Sequence, residues 1–183
     1  MKIKCTLIGD KYVGKTSLIR VFSQQEFPKD YVPTVFANYT CSIQIEESET
    51  IELTLWDTAG DEDYLPYDRL RPLCYPDSDI VLICYAINNQ QSLNNILKKW
   101  VPEIRHHMPN VPLVLVGTKN DLKYSARNTV QIDDVERVKF EIGACFHTVC
   151  SAVLDSDIRF LMNQIAQILK EPGKLLTKKK KCF

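Results

Sequence analysis

Two apolar runs constrain this chain more than any other feature: Ile80–Ile87, IVLICYAI, and Val111–Val116, VPLVLV. Strands with no polar alternation need cover on both faces, which places them in the middle of a parallel sheet. Parallel neighbours need crossover connections, and helical periodicity supplies one between the runs. There Ser92 is placed to cap a helix whose Leu93, Ile96, Leu97, Trp100, Val101 and Ile104 form one stripe. Earlier in the chain, Ile3–Ile8 reads as a strand ending at Gly9. Lys15 to Phe22 reads as a helix, and Tyr39–Ile45 with Ile51–Trp56 as two strands around a Glu-Glu-Ser-Glu turn. Later, Asp133 to Glu141 predicts a helix and Cys145 to Val149 a strand. Ile158, Leu161, Met162, Ile165, Ile168 and Leu169 predict a final amphipathic helix. The expectation is an α/β domain: a doubly wound, mostly parallel six-stranded sheet with helices on both faces and ligands at the carboxyl ends of its strands.

The 183 residues suit one domain, and 45% hydrophobic with 25% charged residues excludes an intrinsically disordered chain. The formal net charge is zero, but five Lys and one Glu fall in residues 171–183, so the preceding 170 carry a net negative charge. The predicted division is a folded domain over 1–170 and a basic tail over 171–183. Seven Cys with no CxxC pair fit neither a disulfide framework nor a zinc ribbon, and point to buried thiols in a reducing compartment. No apolar stretch approaches the ~18 residues of a membrane span, so a cytoplasmic protein is expected. His106-His107 reads as a helix end rather than a metal site. The tail has no interleaved aromatics, so nucleic-acid binding is not expected.

Chemistry concentrates at the predicted strand ends. Gly9-Asp10-Lys11-Tyr12-Val13-Gly14-Lys15-Thr16 matches GxxxxGK[ST] between a predicted strand and a predicted helix. Backbone N–H groups of such a loop and the helix N-terminus surround phosphates, Lys15 reaches the terminal ones, and the Thr16 hydroxyl can ligate Mg²⁺. Gly9 to Thr16, together with Ser17, are candidate nucleotide-binding residues. Trp56-Asp57-Thr58-Ala59-Gly60 follows the third strand. Asp57 can hold Mg²⁺ through water, and Gly60 can offer its N–H to a γ-phosphate without side-chain obstruction. Thr118-Lys119-Asn120-Asp121 follows the fifth strand, where the Asp121 carboxylate can accept both N–H groups of guanine's N1 and N2 edge. Cys150-Ser151-Ala152 follows the last, where the Ser151 and Ala152 backbone can serve guanine O6.

With these motifs in this order the chain resembles the Ras-type small GTPases, and within them the Rho family, in a Rac-like form. The resemblance covers essentially residues 1 to 170. It is carried by the phosphate loop, Phe27-Pro28, Tyr31-Val32-Pro33-Thr34-Val35-Phe36 with Asn38-Tyr39, WDTAG, Glu62-Asp63-Tyr64 with Asp68-Arg69-Leu70-Arg71-Pro72-Leu73, and TKND. It implies a GDP/GTP switch that hydrolyses GTP to GDP and phosphate with Mg²⁺ held by Thr16, Thr34 and Asp57. Phe27 would pack on guanine and Tyr31 lie over the phosphates. Lys15, Thr34, Gly60 and Asp61 would surround the reacting phosphate. Residues Tyr31, Val32, Pro33, Thr34, Val35, Phe36, Ala37, Asn38 and Tyr39 would form the effector region. Switch I would span about 27–39 and switch II about 58–75, read by exchange factors and effectors. A monomer acting on the actin cytoskeleton is what the resemblance suggests.

Several positions depart from the family. Lys11 stands where the family has a second Gly, a position where side chains obstruct a GAP's arginine finger. Asp61 stands where the family has the Gln that orients attacking water. Slow hydrolysis, a weak GAP response and a GTP-biased resting state are therefore expected. The rivals are a GTP-loaded binding module with negligible turnover, and Lys11 acting in cis as a finger. Leu65-Pro66-Tyr67 is additional in switch II, and Ala37 replaces an acidic residue. The stretch from Asp121 to Glu141 is short enough to reduce the family's insert helix to a loop around Lys123 to Val130. Lys178–Lys181 before Cys182-Phe183 resembles the polybasic end of a Rho protein, which would favour the anionic cytoplasmic face of the plasma membrane. Cys182 is a possible lipidation site. It is second from the end rather than fourth, so either the chain stops short of a CaaX box or this route is not used.

Overall fold

The computed structural model describes residues 1–28, 34, 36–46, 49–60, 67–125, 129–155 and 157–170. Among these, six strands form one sheet: β1 (Lys2–Ile8), β2 (Phe36–Glu46), β3 (Glu49–Thr58), β4 (Ile80–Ala86), β5 (Leu113–Thr118) and β6 (Phe146–Val149). Their order is β2-β3-β1-β4-β5-β6. Only the β2–β3 pair is antiparallel, which suits strands separated by two residues in the sequence. Every residue of β4 and β5 is buried, as their unbroken apolar character requires.

The helices are α1 (Lys15–Gln24), the single turn α2 (Tyr67–Leu70), α3 (Gln90–Asn95), α4 (Val101–His107), α5 (Ile132–Ile142) and α6 (Ile158–Lys170). Their apolar stripes divide between the two faces of the sheet. Leu18, Ile19, Leu161, Met162 and Ile165 pack with Leu7, Leu55, Leu82 and Val116 on one side. Leu93, Ile96, Trp100, Ile104, Val135 and Val138 pack with Ile8, Val81, Ile83 and Leu115 on the other. Alternate residues of each strand serve opposite cores, because the side-chain period of a strand is two.

Three local expectations are corrected. Ser92 does not cap its helix; Asn89 does, with Oδ1 accepting from Ser92 N–H at 3.2 Å. The buried Ser92 hydroxyl instead donates to Asn89 C=O and accepts from Ala86 N–H, closing the strand-to-helix turn. Strand β5 begins at Leu113 rather than Val111, since Pro112 has no N–H to give and only its carbonyl is used, by Val81 N–H. Strand β6 begins at Phe146, one residue after Cys145.

Between Leu122 and Ile132 the described residues form a turn at 123–125 and no helix or strand. Cys5, Cys74, Cys84 and Cys150 are buried free thiols, and burial pushes Cys84 up to about 12, where it is inert as a nucleophile. No described helix is long and apolar enough to cross a membrane.

Candidate functional site

Strand β1 pairs in parallel with β3 on one side and β4 on the other, which sets the loops at their carboxyl ends side by side. The loop after β1 leaves at Gly9, φ 146°, because a Cβ there would sit 2.3 Å from Cys84 C=O on the neighbouring strand. It then passes through Tyr12, φ 61°, and Gly14, φ 99°, before α1 begins. Helix α1 has no acidic residue in its first turn and no side-chain cap, so no side chain of its own first turn competes for its N-terminal N–H groups. Val13 is buried, and its carbonyl accepts from the Thr118 hydroxyl at the end of β5. The phosphate loop is thereby docked on the strand that leads to the base motif.

Within the loop the buried Lys15 ammonium donates to Gly9 C=O at 2.8 Å and Asp10 C=O at 2.9 Å. Burial lowers the Lys15 pKa, while the charge of Asp57 opposes that fall. Asp10 was expected among the nucleotide contacts, and its carboxylate is committed elsewhere. It accepts from Trp100 Nε1 and Asn95 Nδ2, both at 2.7 Å, which leaves only the Asp10 backbone for the cradle.

Thr16, Thr34 and Asp57 converge as anticipated. Asp57 Oδ2 accepts from Thr16 Oγ1 at 2.6 Å and from Thr34 Oγ1 at 3.4 Å, and the two hydroxyls are 3.1 Å apart. Asp57 is fully buried, and its Oδ1 has no hydrogen-bond partner among the described residues. Burial raises its pKa, and the Thr16 bond and the Lys15 charge offset this in part. An orphaned carboxylate oxygen beside two hydroxyls is an all-oxygen donor set of the kind a hard divalent cation takes, so the residues fit Mg²⁺. Gly60 lies directly against the loop: a Cβ there would be 2.3 Å from Lys11 N and 2.6 Å from Lys11 Cα.

On the other side of Gly14 an open cleft is lined by Gly14, Ser17, Leu18, Phe27, Thr118, Lys119, Asp121, Cys150, Ala152 and Val153. Asp121 Oδ1 accepts from the buried Ser151 hydroxyl at 2.6 Å, which leaves Oδ2 as a further acceptor. Ser151 Oγ also accepts from Val153 and Leu154 N–H at 3.2 Å, so one hydroxyl orients both the carboxylate and the loop after β6. Lys119 occupies the left-handed region at φ 62°, and Asn120 N–H bonds Cys150 C=O, joining the two base loops. Burial lowers the Lys119 pKa.

Of the expected effector residues, Phe36, Ala37, Asn38 and Tyr39 begin the edge strand β2, paired with Thr58, Asp57, Trp56 and Leu55. Phe36 is 61% exposed. Tyr31, Val32, Pro33, Val35, Asp61 and Cys182 lie outside the described residues, as do Leu65-Pro66 and the basic tail. Sequence reasoning gave no role in the cleft to Leu18, Cys150 or Val153, although Cys150 belongs to a motif it had found and Val153 directly follows it. It also gave no role to Asn95 or Glu103, and read Trp100 and Arg71 only as core and motif members. Nothing in their local pattern marks them.

A family model described as the Ras family matches residues 4–171. A GTP-binding RHO-like protein of Candida albicans is 45% identical over 161 residues, which are 88% of this chain and 44% of that protein. The Rho-related GTP-binding proteins RhoB of Homo sapiens and Mus musculus are each 44% identical over 166 residues, 85% of this chain and 83% of theirs. The chain thus spans less than half the length of the Candida relative and most of the length of the mammalian ones.

Proposed function

Because this chain belongs to the Rho family within the Ras superfamily of small GTPases, we propose that it is a GDP/GTP switch with a slow hydrolysis step. The observation that carries the switch is the meeting of Thr16, Thr34 and Asp57. One carboxylate connects the phosphate loop's helix, the switch I segment and the sheet. Guanine nucleotide would lie along the cleft from Lys15 to Asp121, with Phe27, Lys119, Ser151 and Ala152 about the base. Thr16, Thr34 and Asp57 would hold Mg²⁺, which when bound neutralises charge on the phosphate oxygens. Lys15 would bring its ammonium to the terminal phosphates, and Gly60 its N–H to the γ-phosphate.

The slow step is supported by two departures of the sequence from the family, Lys11 and Asp61. Lys11 puts a side chain on the backbone against which Gly60 packs, at the position where an arginine finger would approach. Asp61, the next residue after Gly60, is an anion where a neutral donor would orient water. At about 5 Å and an effective dielectric near 20, each of these charges interacts with a phosphate charge by about 3 kcal/mol, with opposite sign. Their effects on nucleotide affinity offset each other in part. An anionic carboxylate still has no N–H to donate in the transition state, and loss of such a donor costs roughly 10²-fold or more.

Exchange factors and effectors would read Phe36 to Tyr39 and the segment from Tyr67 to Cys74. Ala37 and the additional Leu65-Pro66-Tyr67 alter the surface such partners would read, so the partners of its relatives are not carried over to this chain. GAP response is expected to be weak. The basic tail would add about 4 kcal/mol of attraction from its four consecutive Lys to the anionic cytoplasmic leaflet, a salt-sensitive tether, and regulation of the actin cytoskeleton is the cellular role proposed. A GTP-loaded module with negligible turnover is the second reading, favoured by the same Lys11 and Asp61.

Single-turnover hydrolysis by wild type, Asp61→Gln and Lys11→Gly separates these readings. Faster turnover in Asp61→Gln supports slow hydrolysis caused by Asp61, whereas a collapse of rate in Lys11→Gly would show that Lys11 acts as a finger and would refute it. GTP recovered intact from freshly purified protein, with no measurable turnover, would establish the second reading.

A further inference from the structure

Between α3 and α4 the helix carries a π turn at Ile96–Trp100, where Val101 N–H reaches back five residues to Ile96 C=O. The wider turn brings Asn95 and Trp100, five residues apart, onto one face. Both donate to Asp10 of the phosphate loop, Asn95 Nδ2 to Oδ2 and Trp100 Nε1 to Oδ1, each at 2.7 Å. Three residues further along, Glu103 binds Arg71 through both carboxylate oxygens, at 2.8 and 3.1 Å. Tyr75 adds its hydroxyl to the same carboxylate.

Arg71 is 2% exposed. Its guanidinium lies 4.8 Å from the Trp100 ring centroid. Nε donates to Ala59 C=O at 2.9 Å and Nη2 to Gly60 C=O at 3.0 Å. Two loops that flank the phosphate position are therefore fastened to one short stretch of helix, residues 95–103, by separate sets of bonds.

The peptide group supplies the consequence. Ala59 C=O and Gly60 N–H belong to one planar trans unit, so the N–H points opposite to the carbonyl. Holding Ala59 C=O from one side directs Gly60 N–H to the other. Gly60 packs on the Lys11 backbone and has no side chain to brace it, so this orientation depends on the bonds to its carbonyl neighbours.

We propose that Arg71 is a positioning residue that sets the preference for triphosphate over diphosphate, while Trp100 and Asn95 support the loop that both nucleotides share. The proposal rests on the reading of Gly60 N–H as the γ-phosphate donor. A charged group held in two directions by Glu103 and the carbonyls is a fixed brace rather than a surface ion pair.

The test is the ratio of affinities for a non-hydrolysable GTP analogue and for GDP, measured with fluorescent nucleotides and Mg²⁺ on the full chain. Arg71→Met should lower the ratio about tenfold, the scale of a lost charge-assisted hydrogen bond, with GDP affinity changed less than about threefold. Glu103→Gln keeps the shape of the site and should move the ratio in the same direction by less; it carries the test if Arg71→Met does not fold. Trp100→Phe keeps an aromatic ring, though a smaller one, without the N–H and should speed release of both nucleotides together, at constant ratio.

Gly60→Ala keeps the N–H but displaces it, because its Cβ would press on the Lys11 backbone, and should lower the ratio. If it does not, the reading of Gly60 fails and the proposal with it. If Gly60→Ala lowers the ratio while Arg71→Met and Glu103→Gln leave it at wild type, the brace alone is refuted. A fall in Trp100→Phe as large as in Arg71→Met would refute the division of roles.

Discussion

The Thr16 hydroxyl donates to Asp57 Oδ2 at 2.6 Å and leaves Oδ1 of the same buried carboxylate with no partner among the described residues. A buried carboxylate half satisfied in this way is costly, and a divalent cation would relieve it. Thermal unfolding at constant GDP, with Mg²⁺ or with a chelator, should show a Mg²⁺-dependent rise for wild type and none for Asp57→Asn. Thr16→Val should lose the same rise and in addition cost about 1–3 kcal/mol in chelator, because the charge then loses its nearest donor. A full Mg²⁺ response in Asp57→Asn would refute the assignment.

Ser151→Ala removes the donor to Asp121 and the acceptor of two backbone N–H groups. Binding of GDP and of a GTP analogue should weaken together, by about tenfold, since the base end is common to both. Fluorescent nucleotide release measures this. A change confined to one nucleotide would contradict the placement of the base.

A methyl at Gly117 would lie 2.8 Å from Tyr85 Oη and 2.9 Å from Val149 Cγ1, between two strands and a ring. Gly117→Ala should cost about 1–3 kcal/mol in denaturant unfolding. Tyr85→Phe in that background should recover only part, because the ring carbon bearing the hydroxyl is also 2.9 Å away.

His147 Nε2 is 3.2 Å from Tyr85 Oη, and burial lowers the His147 pKa, opposed by Glu136. The neutral ring is favoured in the fold, so the unfolded chain takes up its proton first as pH falls. The stability held above the ordinary His value is then lost as pH falls through the lowered one. Between about pH 7.5 and about pH 5.5 the melting temperature of wild type should drop more than that of His147→Gln. Parallel pH profiles would exclude His147 as the cause.

Much of the site was legible because its information is local. Gly9 to Thr16 needs only a strand, a tight loop and a helix in succession, and each of these follows from adjacent residues. The apolar runs ending near Asp57, Thr118 and Ser151 placed those motifs at strand ends, where the sheet gathers them. Ser92 was misassigned because Ser and Asn are equally competent caps, and three residues decide between them only through the turn from Ala86.

Hydrophobic period and motif spacing by themselves determined the α/β architecture and the order of the strands' loops, and pointed to phosphate, metal and base chemistry at the ends of those strands. Only tertiary structure decided that Asp10 spends its carboxylate on Asn95 and Trp100, 85 and 90 residues away, and that Arg71 is buried against Gly60 and Glu103. The physical reason is that periodicity records which residues leave water, whereas the partner of a buried polar group is set by directional bonds across elements distant in the chain.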